Sequence, residues 1–472
     1  MFDAMDNHSW DEAQQLVMRA YELYENGEFS DALSQLEEAI DINPDNASCF
    51  FNAGLTLDAM DHFKGAIAAY EQALKLKPDD PEIMNSLAVD YTRIGQYDLA
   101  IHVFEKIESI APDFEPCFCN RIITYAEMDQ HEKAEHMFYL AQQINPDCPI
   151  CFYNIGNSLF SRRQFKRAIW CWKKTAEIEP THPQINYRIA QAYWADGETE
   201  QARHYFLEEI RKNPGDIDVI QDYGLFLLEC GMIGQAREKF NWILDLNPTY
   251  AGAHLYIGEI LMHQGNTEKA LEQFDKAVEL NCALPGPRYR KAQIALDEGD
   301  RQEAERLLCS ELKLGLEDPD VLISIGSMFM KLGKFDYAMD CFLKVVDESP
   351  GNSRAFYYMG KTLSMQDEVE GAVYFFEHAI DLELHDAGLY TDTARLYLDR
   401  GELMMAEKFV KKALDLAGTE DDDINRLAGK IKLAKFACKL KTGFARIAGD
   451  KIRLIWAKYR CRLRTLIHVR DK

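Results

Sequence analysis

A spacing of 34 residues recurs along this chain and constrains its fold more than any other feature. Prolines follow one another at this spacing, and the series passes through two other residues before it resumes: Pro44, Pro78, Pro112, Pro146, Pro180, Pro214, Pro248, Cys282, Leu316 and Pro350. With residue 13 as position 1, twelve units run to residue 420 without an insertion or deletion. A unit of this length buries its apolar face against the next unit, so the spacing predicts a solenoid.

Four positions of the unit predict two helices and the turn between them. Position 20 is alanine in all twelve units, position 8 is small in all but one, and position 24 is large and apolar. Small residues let two helices approach closely, and the large side chain fills the remaining space. Position 15 is glycine in eight units and Asp61, Asp129, Arg163 or Asp367 in the others. Glycine, and less readily aspartate, suits the left-handed residue that ends a helix.

This pattern resembles the tetratricopeptide repeat family over residues 13–420. The resemblance implies an all-α, right-handed superhelical solenoid of about twelve helix-turn-helix repeats with a C-terminal basic helical extension. Residues 1–12 are then a lead-in, and residues 421–472 form a capping helix and a basic amphipathic tail. The ninth unit matches the pattern least well, so we expect a weak interface near residues 282–318.

The resemblance also implies that the concave groove of the solenoid binds proteins or extended peptides. We call the first helix of each unit helix A and the second helix B. Positions 2, 5, 6, 9 and 12 of each unit lie on helix A and line that groove in the family, and helical spacing places them on one face. Here these positions carry amides, which pair with both sides of a peptide bond, together with aromatic and cationic side chains. The candidate groove residues are Asn52, Asn85, Asn120, Tyr153, Asn154, Asn157, Tyr187, Arg188, Trp194, Tyr256, Tyr289 and Arg290. The alternative is that the cations pair with the acidic surface of this chain itself.

Cys117, Cys119, Cys148 and Cys151 form a C-x-C pair and a C-x-x-C pair. Four thiolates at this spacing fit a tetrahedral zinc site. Cys117 and Cys151 occupy position 3, however, where other units carry isoleucine or valine, and buried cysteine packs as a small apolar residue. Packing is therefore the favoured interpretation, metal or redox function is the alternative, and no cofactor is expected. The chain begins without a secretory signal pattern, so we expect reduced thiols in the cytoplasm.

Charge is distributed unevenly along the chain. The net charge of −25 divides into +13 in residues 424–472 and −38 in the remainder. The acidic body would repel phosphates, which makes nucleic acid an unlikely partner for the repeats. The candidate partner-binding residues of the tail are Lys451, Arg453, Trp456, Arg460, Arg462 and Arg464. Three partners suit such a basic helix: an anionic membrane surface, nucleic acid, or the acidic surface of this chain or of a partner.

Enzyme chemistry has little sequence support. The chain has no glycine-rich phosphate loop, nucleophile elbow or H-E-x-x-H motif. These short motifs are typical of phosphate-binding, hydrolase and metalloprotease sites. We therefore predict a cytoplasmic, non-enzymatic scaffold that binds proteins or peptides in its groove. The alternative is an assembly factor that the basic tail tethers to an anionic membrane surface or to nucleic acid.

Overall fold

A computed structural model describes residues 3–418 and 421–445 of this chain, with side chains for residues 12–418 and 421–438. These residues form 25 α-helices and no strand. The chain divides into two compact units, Met1–Leu246 and Asn247–Lys472. Each unit is an all-α repeat solenoid, as the 34-residue spacing predicts.

Helices A and B alternate in the first unit as α1 to α14. Their bounds are Asp3–Glu25, Phe29–Ile42, Ala47–Ala59, Phe63–Leu76, Pro81–Arg93, Tyr97–Ile110, Glu115–Glu127, His131–Ile144, Pro149–Ser161, Phe165–Ile178, Ile185–Ala195, Thr199–Lys212, Ile217–Glu229 and Ile233–Leu246. The second unit holds α15 to α25. Their bounds are Ala251–His263, Thr267–Leu280, Pro287–Glu298, Arg301–Leu312, Pro319–Leu332, Phe335–Glu348, Ser353–Met365, Val369–Asp381, Ala387–Asp399, Leu403–Ala417 and Asp422–Ala445.

The turn from each A helix to its B helix has the predicted left-handed residue. All eight position-15 glycines have positive φ, and so do the four residues that replace glycine there, including Asp129 and Arg163, both at φ 58°. A side chain in this conformation is strained, which glycine avoids because it lacks a Cβ atom. The turn prediction is therefore confirmed in every unit, including the one that carries arginine.

Close packing of helices A and B also follows the predicted positions. The alanine at position 20 is fully buried in all twelve units. At position 8, a Cβ atom added to Gly156 would lie 2.5 Å from Nε1 of Trp172, and one added to Gly224 would lie 2.8 Å from the Phe240 ring. Both aromatic residues occupy position 24. The prediction that a small residue at 8 makes room for a large one at 24 is confirmed.

The ninth repeat begins with an irregular backbone that a buried carboxylate holds. Gly286 has φ +116° and directly precedes α17. Its N–H group donates a hydrogen bond to a carboxylate oxygen of Glu311, a fully buried side chain of α18. Burial raises the pKa of Glu311, and the Gly286 N–H opposes that rise. The weaker interface near residues 282–318 stays a prediction.

Helices lie at both ends of the described chain. The first helix, α1, begins at Asp3 within the segment predicted to be a lead-in. At the other end, α25 packs on α24 and buries Ile424, Leu427 and Ile431 in the same core cluster as Phe409. A capping helix covers the apolar face that the last repeat of a solenoid would otherwise expose, and this role of α25 stays a prediction.

Candidate peptide-binding site

The twelve candidate groove residues all lie on A helices. In the first unit, α3, α5, α7, α9 and α11 carry nine of them: Asn52, Asn85, Asn120, Tyr153, Asn154, Asn157, Tyr187, Arg188 and Trp194. In the second unit, α15 carries Tyr256, and α17 carries Tyr289 and Arg290. Asn154 and Tyr289 are buried, and the other ten are half-buried. Most of these side chains therefore keep part of their surface exposed.

Polar groups on this face often bond to the neighbouring repeat, at a step of 35 residues. The Asn120 amide donates to Oδ1 of Asn85 over 3.1 Å, and the Asn154 amide donates to the backbone carbonyl of Cys119 over 3.0 Å. The Tyr187 hydroxyl donates to Asp222 over 2.7 Å. Position 5 of one A helix thus faces position 6 of the next. The predicted amide row is partly used to join repeats, and Asn154 in particular does not direct its amide at a ligand.

Aromatic and cationic candidates have partners within the chain as well. Burial, followed by the hydrogen bond to the nearby carboxylate, raises the pKa of Tyr187. The Trp194 indole donates to Glu229, again 35 residues along. In the second unit, Nε of Arg290 lies 2.6 Å from a carboxylate oxygen of Glu259. Arg290 therefore pairs with an acidic residue of this chain itself, as the alternative interpretation of the groove cations has it.

A cleft of about 510 Å³ lies between α7 and α9, at the start of α8. Tyr153, Asn154 and Asn157 line its α9 side, so the structure brings three of the predicted groove residues together. Its other walls are Ile123, Ala126, Glu127, Asp129, His131, Ser158 and Ser161. None of these seven was among the groove predictions. Ile123 and Ala126 occupy groove positions 9 and 12 but carry neither an amide, an aromatic ring nor a charge, and the other five lie outside the groove positions.

Asn157 differs from its neighbours within this cleft. It is half-buried, and its side-chain amide makes no hydrogen bond among the residues that the structure describes. The ring of Tyr153, one helical turn away, packs on His182 at 4.6 Å between ring centroids. A half-buried amide without a partner, next to a ring held in place, is free to bond to a bound chain.

Three polar side chains of the cleft form a hydrogen-bonded chain that resembles a hydrolytic triad. Nε2 of His131 lies 2.8 Å from Oδ1 of Asp129, and Nδ1 of His131 lies 3.0 Å from the Ser158 hydroxyl. Ser158 stands in the middle of α9, where backbone N–H groups are bonded within the helix and do not form an oxyanion hole. The Asp129 side chain is 95% exposed. The arrangement fixes His131 on the cleft wall, and the described residues of α9 supply no backbone oxyanion hole beside Ser158.

The cysteines of the C-x-C and C-x-x-C pairs separate into two environments. Cys117 is fully buried and donates from Sγ to the backbone carbonyl of Phe104 over 3.4 Å. Burial raises its pKa to about 12. Cys119, Cys148 and Cys151 instead converge, and Glu115 joins them in place of Cys117. Cys117 therefore packs in the core as a small apolar residue, whereas the other three cysteines form a cluster.

Within this cluster, Cys119 and Cys151 are bonded as a disulfide, with their Cα atoms 5.0 Å apart. The absence of a secretory signal pattern led us to expect reduced thiols. The sequence does not reveal this disulfide, because the pairing of two cysteines 32 residues apart is decided by how α7 and α9 pack. Sγ of Cys148 lies 3.6 Å from Sγ of Cys119, and burial raises the pKa of Cys148 to about 11. Glu115 escaped the sequence analysis, although it precedes Cys119 by four residues, which is one helical turn.

The six tail candidates, Lys451, Arg453, Trp456, Arg460, Arg462 and Arg464, lie outside the described residues. The partners predicted for them are therefore untested. Among the described helices, none combines the length and apolar character that crossing a bilayer requires.

Three sequence families of repeats match this chain. A family described as YpiA-like, C-terminal tetratricopeptide repeats matches residues 183–249. A family described as TPR repeat matches residues 20–61, and one described as tetratricopeptide repeat matches residues 51–113, 231–281 and 289–353. Together the matches cover more than half of the chain, and none of the three descriptions names an enzyme. A comparison with curated proteins finds no match.

Solved structures of low sequence identity are also similar to this chain. The Cut9-Hcn1 hetero-tetramer of the APC/C matches at 14% identity, 89% of this chain and 96% of that one, with a TM-score of 0.44. Yeast Tom70 matches at 14% identity, 86% and 98% coverage and a TM-score of 0.48. YrrB, titled a TPR protein with an unusual peptide-binding site, matches at 20% identity, 38% and 92% coverage and a TM-score of 0.32. On its 34-residue period, its helix pairs and the three family matches, the chain belongs to the tetratricopeptide repeat family.

Proposed function

We propose that this protein is a scaffold that binds an extended segment of a partner protein in the cleft between α7, α8 and α9. The observation that carries the proposal is the half-buried Asn157 amide, which lies in the cleft without a partner among the described residues. A side-chain amide offers donors and an acceptor, so it can pair with the N–H and C=O groups of one peptide unit. This contact holds an extended backbone whatever its sequence.

The remaining walls of the cleft suggest the side chains that the segment carries. Glu127 and Asp129 are exposed at one edge, where they favour a basic side chain. Ile123 is 39% exposed at the same cleft and offers an apolar contact beside the Tyr153 ring. A segment with a basic residue close to an apolar one complements both features. The net charge of −25 favours the same class of partner by steering.

A selection of random peptides on the full chain tests the proposal, because it assumes no partner. Binding of the selected peptides is then measured by fluorescence anisotropy on wild type, Asn157→Ala and Glu127→Lys. Gln143→Ala is the matched control, since Gln143 is an exposed amide of α8 outside the cleft. We expect Asn157→Ala to weaken binding about tenfold, which corresponds to ~1.4 kcal/mol. Glu127→Lys should weaken the binding of those selected peptides that carry a basic residue.

This site would be refuted if Asn157→Ala or Glu127→Lys bound the selected peptides as tightly as wild type and Gln143→Ala do. In that case the face formed by the other A helices becomes the next surface to test. Cytoplasmic location and peripheral membrane association stay predictions. Tethering through the basic tail also stays a prediction, since the tail candidates lie outside the described part of the chain.

A further inference from the structure

Four side chains with metal-binding atoms meet where the first turns of α7 and α9 lie side by side. Glu115, Cys119, Cys148 and Cys151 each direct one ligand atom into this space, and the four atoms lie within 4.8 Å of one another. The three cysteines are buried, and Glu115 is half-buried. The cluster lies outside the peptide-binding cleft described above, none of whose lining residues belongs to it.

The position of the carboxylate is not explained by the disulfide. One oxygen of Glu115 lies 2.6 Å from Sγ of Cys119 and 3.1 Å from Sγ of Cys151. Neither sulfur of a disulfide carries a proton, so the oxidised pair offers the carboxylate no hydrogen bond at these distances. The Cys148 thiol is the one group of the cluster that makes a hydrogen bond with Glu115, and a cation would hold all four electron-rich atoms together.

We propose that the reduced form of this cluster binds one Zn²⁺ ion through the sulfurs of Cys119, Cys148 and Cys151 and the carboxylate of Glu115. Three thiolates and one carboxylate supply the four ligands of a tetrahedral zinc site, and soft sulfur donors select zinc over magnesium or calcium. With Zn–S bonds of ~2.3 Å, tetrahedral geometry places two sulfurs roughly 3.8 Å apart. Cys119 and Cys148 lie 3.6 Å apart already.

The helices that supply the ligands also stabilise the negative charge of such a site. Three thiolates and a carboxylate exceed the charge of one Zn²⁺ ion by two. Glu115 is the first residue of α7, and Cys148 is the N-cap of α9. Helix N-termini carry a partial positive charge and unpaired N–H groups. One of these groups, the N–H of Cys151, already donates to Sγ of Cys148 over 3.3 Å.

Reduction and metal binding form a balanced sequence. A dithiol reductant gives two electrons and two protons to the disulfide of Cys119 and Cys151, and becomes a disulfide itself. The three thiols then release three protons as Zn²⁺ binds, because zinc takes thiolates as ligands. The oxidised protein retains only the Cys148 thiol and Glu115, which are too few for a structural zinc site. Zinc binding by this cluster therefore requires the reduced state.

Cobalt titration of the full chain tests the proposal directly. The protein is reduced with a phosphine, freed of metal with a chelator, and titrated with Co²⁺ and then Zn²⁺, while the thiolate-to-cobalt absorption and bound metal are followed. We expect one Co²⁺ per reduced chain, displaced by Zn²⁺, and no binding by the oxidised chain. Cys148→Ser should weaken both metal binding and the thiolate-to-cobalt absorption, and Glu115→Gln should weaken binding at least about tenfold, or ~1.4 kcal/mol.

The matched control is Cys117→Ala, which removes a buried cysteine of α7 that is not a ligand. It should bind metal as wild type does. The proposal is overturned if the reduced wild type, which needs no mutation and so cannot fail through misfolding, shows neither the band nor bound zinc. Equal binding by the oxidised chain or by Cys148→Ser would also overturn it. None of these outcomes depends on whether the cleft binds a peptide.

Discussion

The side-chain amide of Asn120 donates a hydrogen bond to Oδ1 of Asn85, 35 residues earlier in the chain, over 3.1 Å. The same step joins Asn154 to the carbonyl of Cys119, and Tyr357 to Asp392. The repeat is 34 residues long, so a 35-residue step connects position 5 of one A helix with position 6 of the next. Groove positions in this protein therefore divide into those that join repeats and those left free for a ligand.

This division predicts different effects for two neighbouring asparagines of α9. Asn154→Ala leaves the Cys119 carbonyl without its side-chain donor in a buried site. The carbonyl keeps its hydrogen bond within α7, so we expect the free energy of unfolding to fall by ~0.5–1.5 kcal/mol, the net contribution of one hydrogen bond. Asn157→Ala, at a half-buried amide without a partner, should change it by no more than ~0.5 kcal/mol. Urea unfolding followed by circular dichroism measures both, and equal losses would contradict the division.

Gly156 gives a test of the packing between helices A and B. A methyl group at this position would overlap the Trp172 ring, which is almost fully buried and cannot move aside. Gly156→Ala should therefore lower the free energy of unfolding by ~1–3 kcal/mol through overpacking. Gly429→Ala is the control, since no atom lies within 4 Å of its added methyl group. That change should raise stability by ~0.5–1 kcal/mol, because alanine favours a helix. Thermal melting checks both, and a neutral Gly156→Ala would argue against close packing here.

Asp90 should make the stability of the protein depend on pH. Its side chain is buried, and its Oδ2 atom has no hydrogen-bond partner. Arg93 approaches its other oxygen only to 3.7 Å. Burial raises the pKa of Asp90 to about 7, whereas the unfolded chain has an ordinary value of about 3.9. The folded state therefore binds more protons than the unfolded state between these two pH values, and stability falls as pH rises through that window.

Asp90→Asn removes this titration, and the variant should be more stable than wild type at pH 8. Each unit of pKa difference corresponds to ~1.4 kcal/mol, so the gain is on the order of a few kcal/mol. The gain should be smaller at pH 5, where the folded protein holds Asp90 neutral. Urea unfolding at pH 5 and pH 8 measures the difference between variant and wild type. A gain that is independent of pH would mean that Asp90 is ionised in both states.

Cysteine reactivity should follow burial. Burial raises the pKa of both Cys171 and Cys341 to about 12, and both thiols lie in the core. Cys282 is exposed. Because the thiolate is the reactive form, native protein treated with iodoacetamide at neutral pH should be alkylated at Cys282 well before the two core thiols. Peptide mapping by mass spectrometry measures the rates, and addition of urea should make the three alike. Similar alkylation rates in native buffer would contradict the burial of Cys171 and Cys341 in the core.

What the sequence determined by itself is the periodic part of the fold. Each repeat is built from contacts within about one period, so the identities at positions 8, 15, 20 and 24 specify both helices, the left-handed turn and the packing of A on B. Arg163 shows how strong this periodic pattern is, since it adopts φ 58° where most repeats have glycine. The family and the all-α solenoid follow from these local rules.

Tertiary structure decided what happens between repeats. Whether a groove amide is free depends on its partner one repeat away, so only coordinates distinguish Asn157 from Asn154. The same holds for Glu115, which replaces Cys117 beside the other three cysteines because α7 directs its first residue, rather than its third, toward α9. Glu311, which reaches the N–H of Gly286 from 25 residues away, likewise left no local pattern. These contacts join side chains whose separation in sequence is set by helix packing, and a periodic pattern does not contain that geometry.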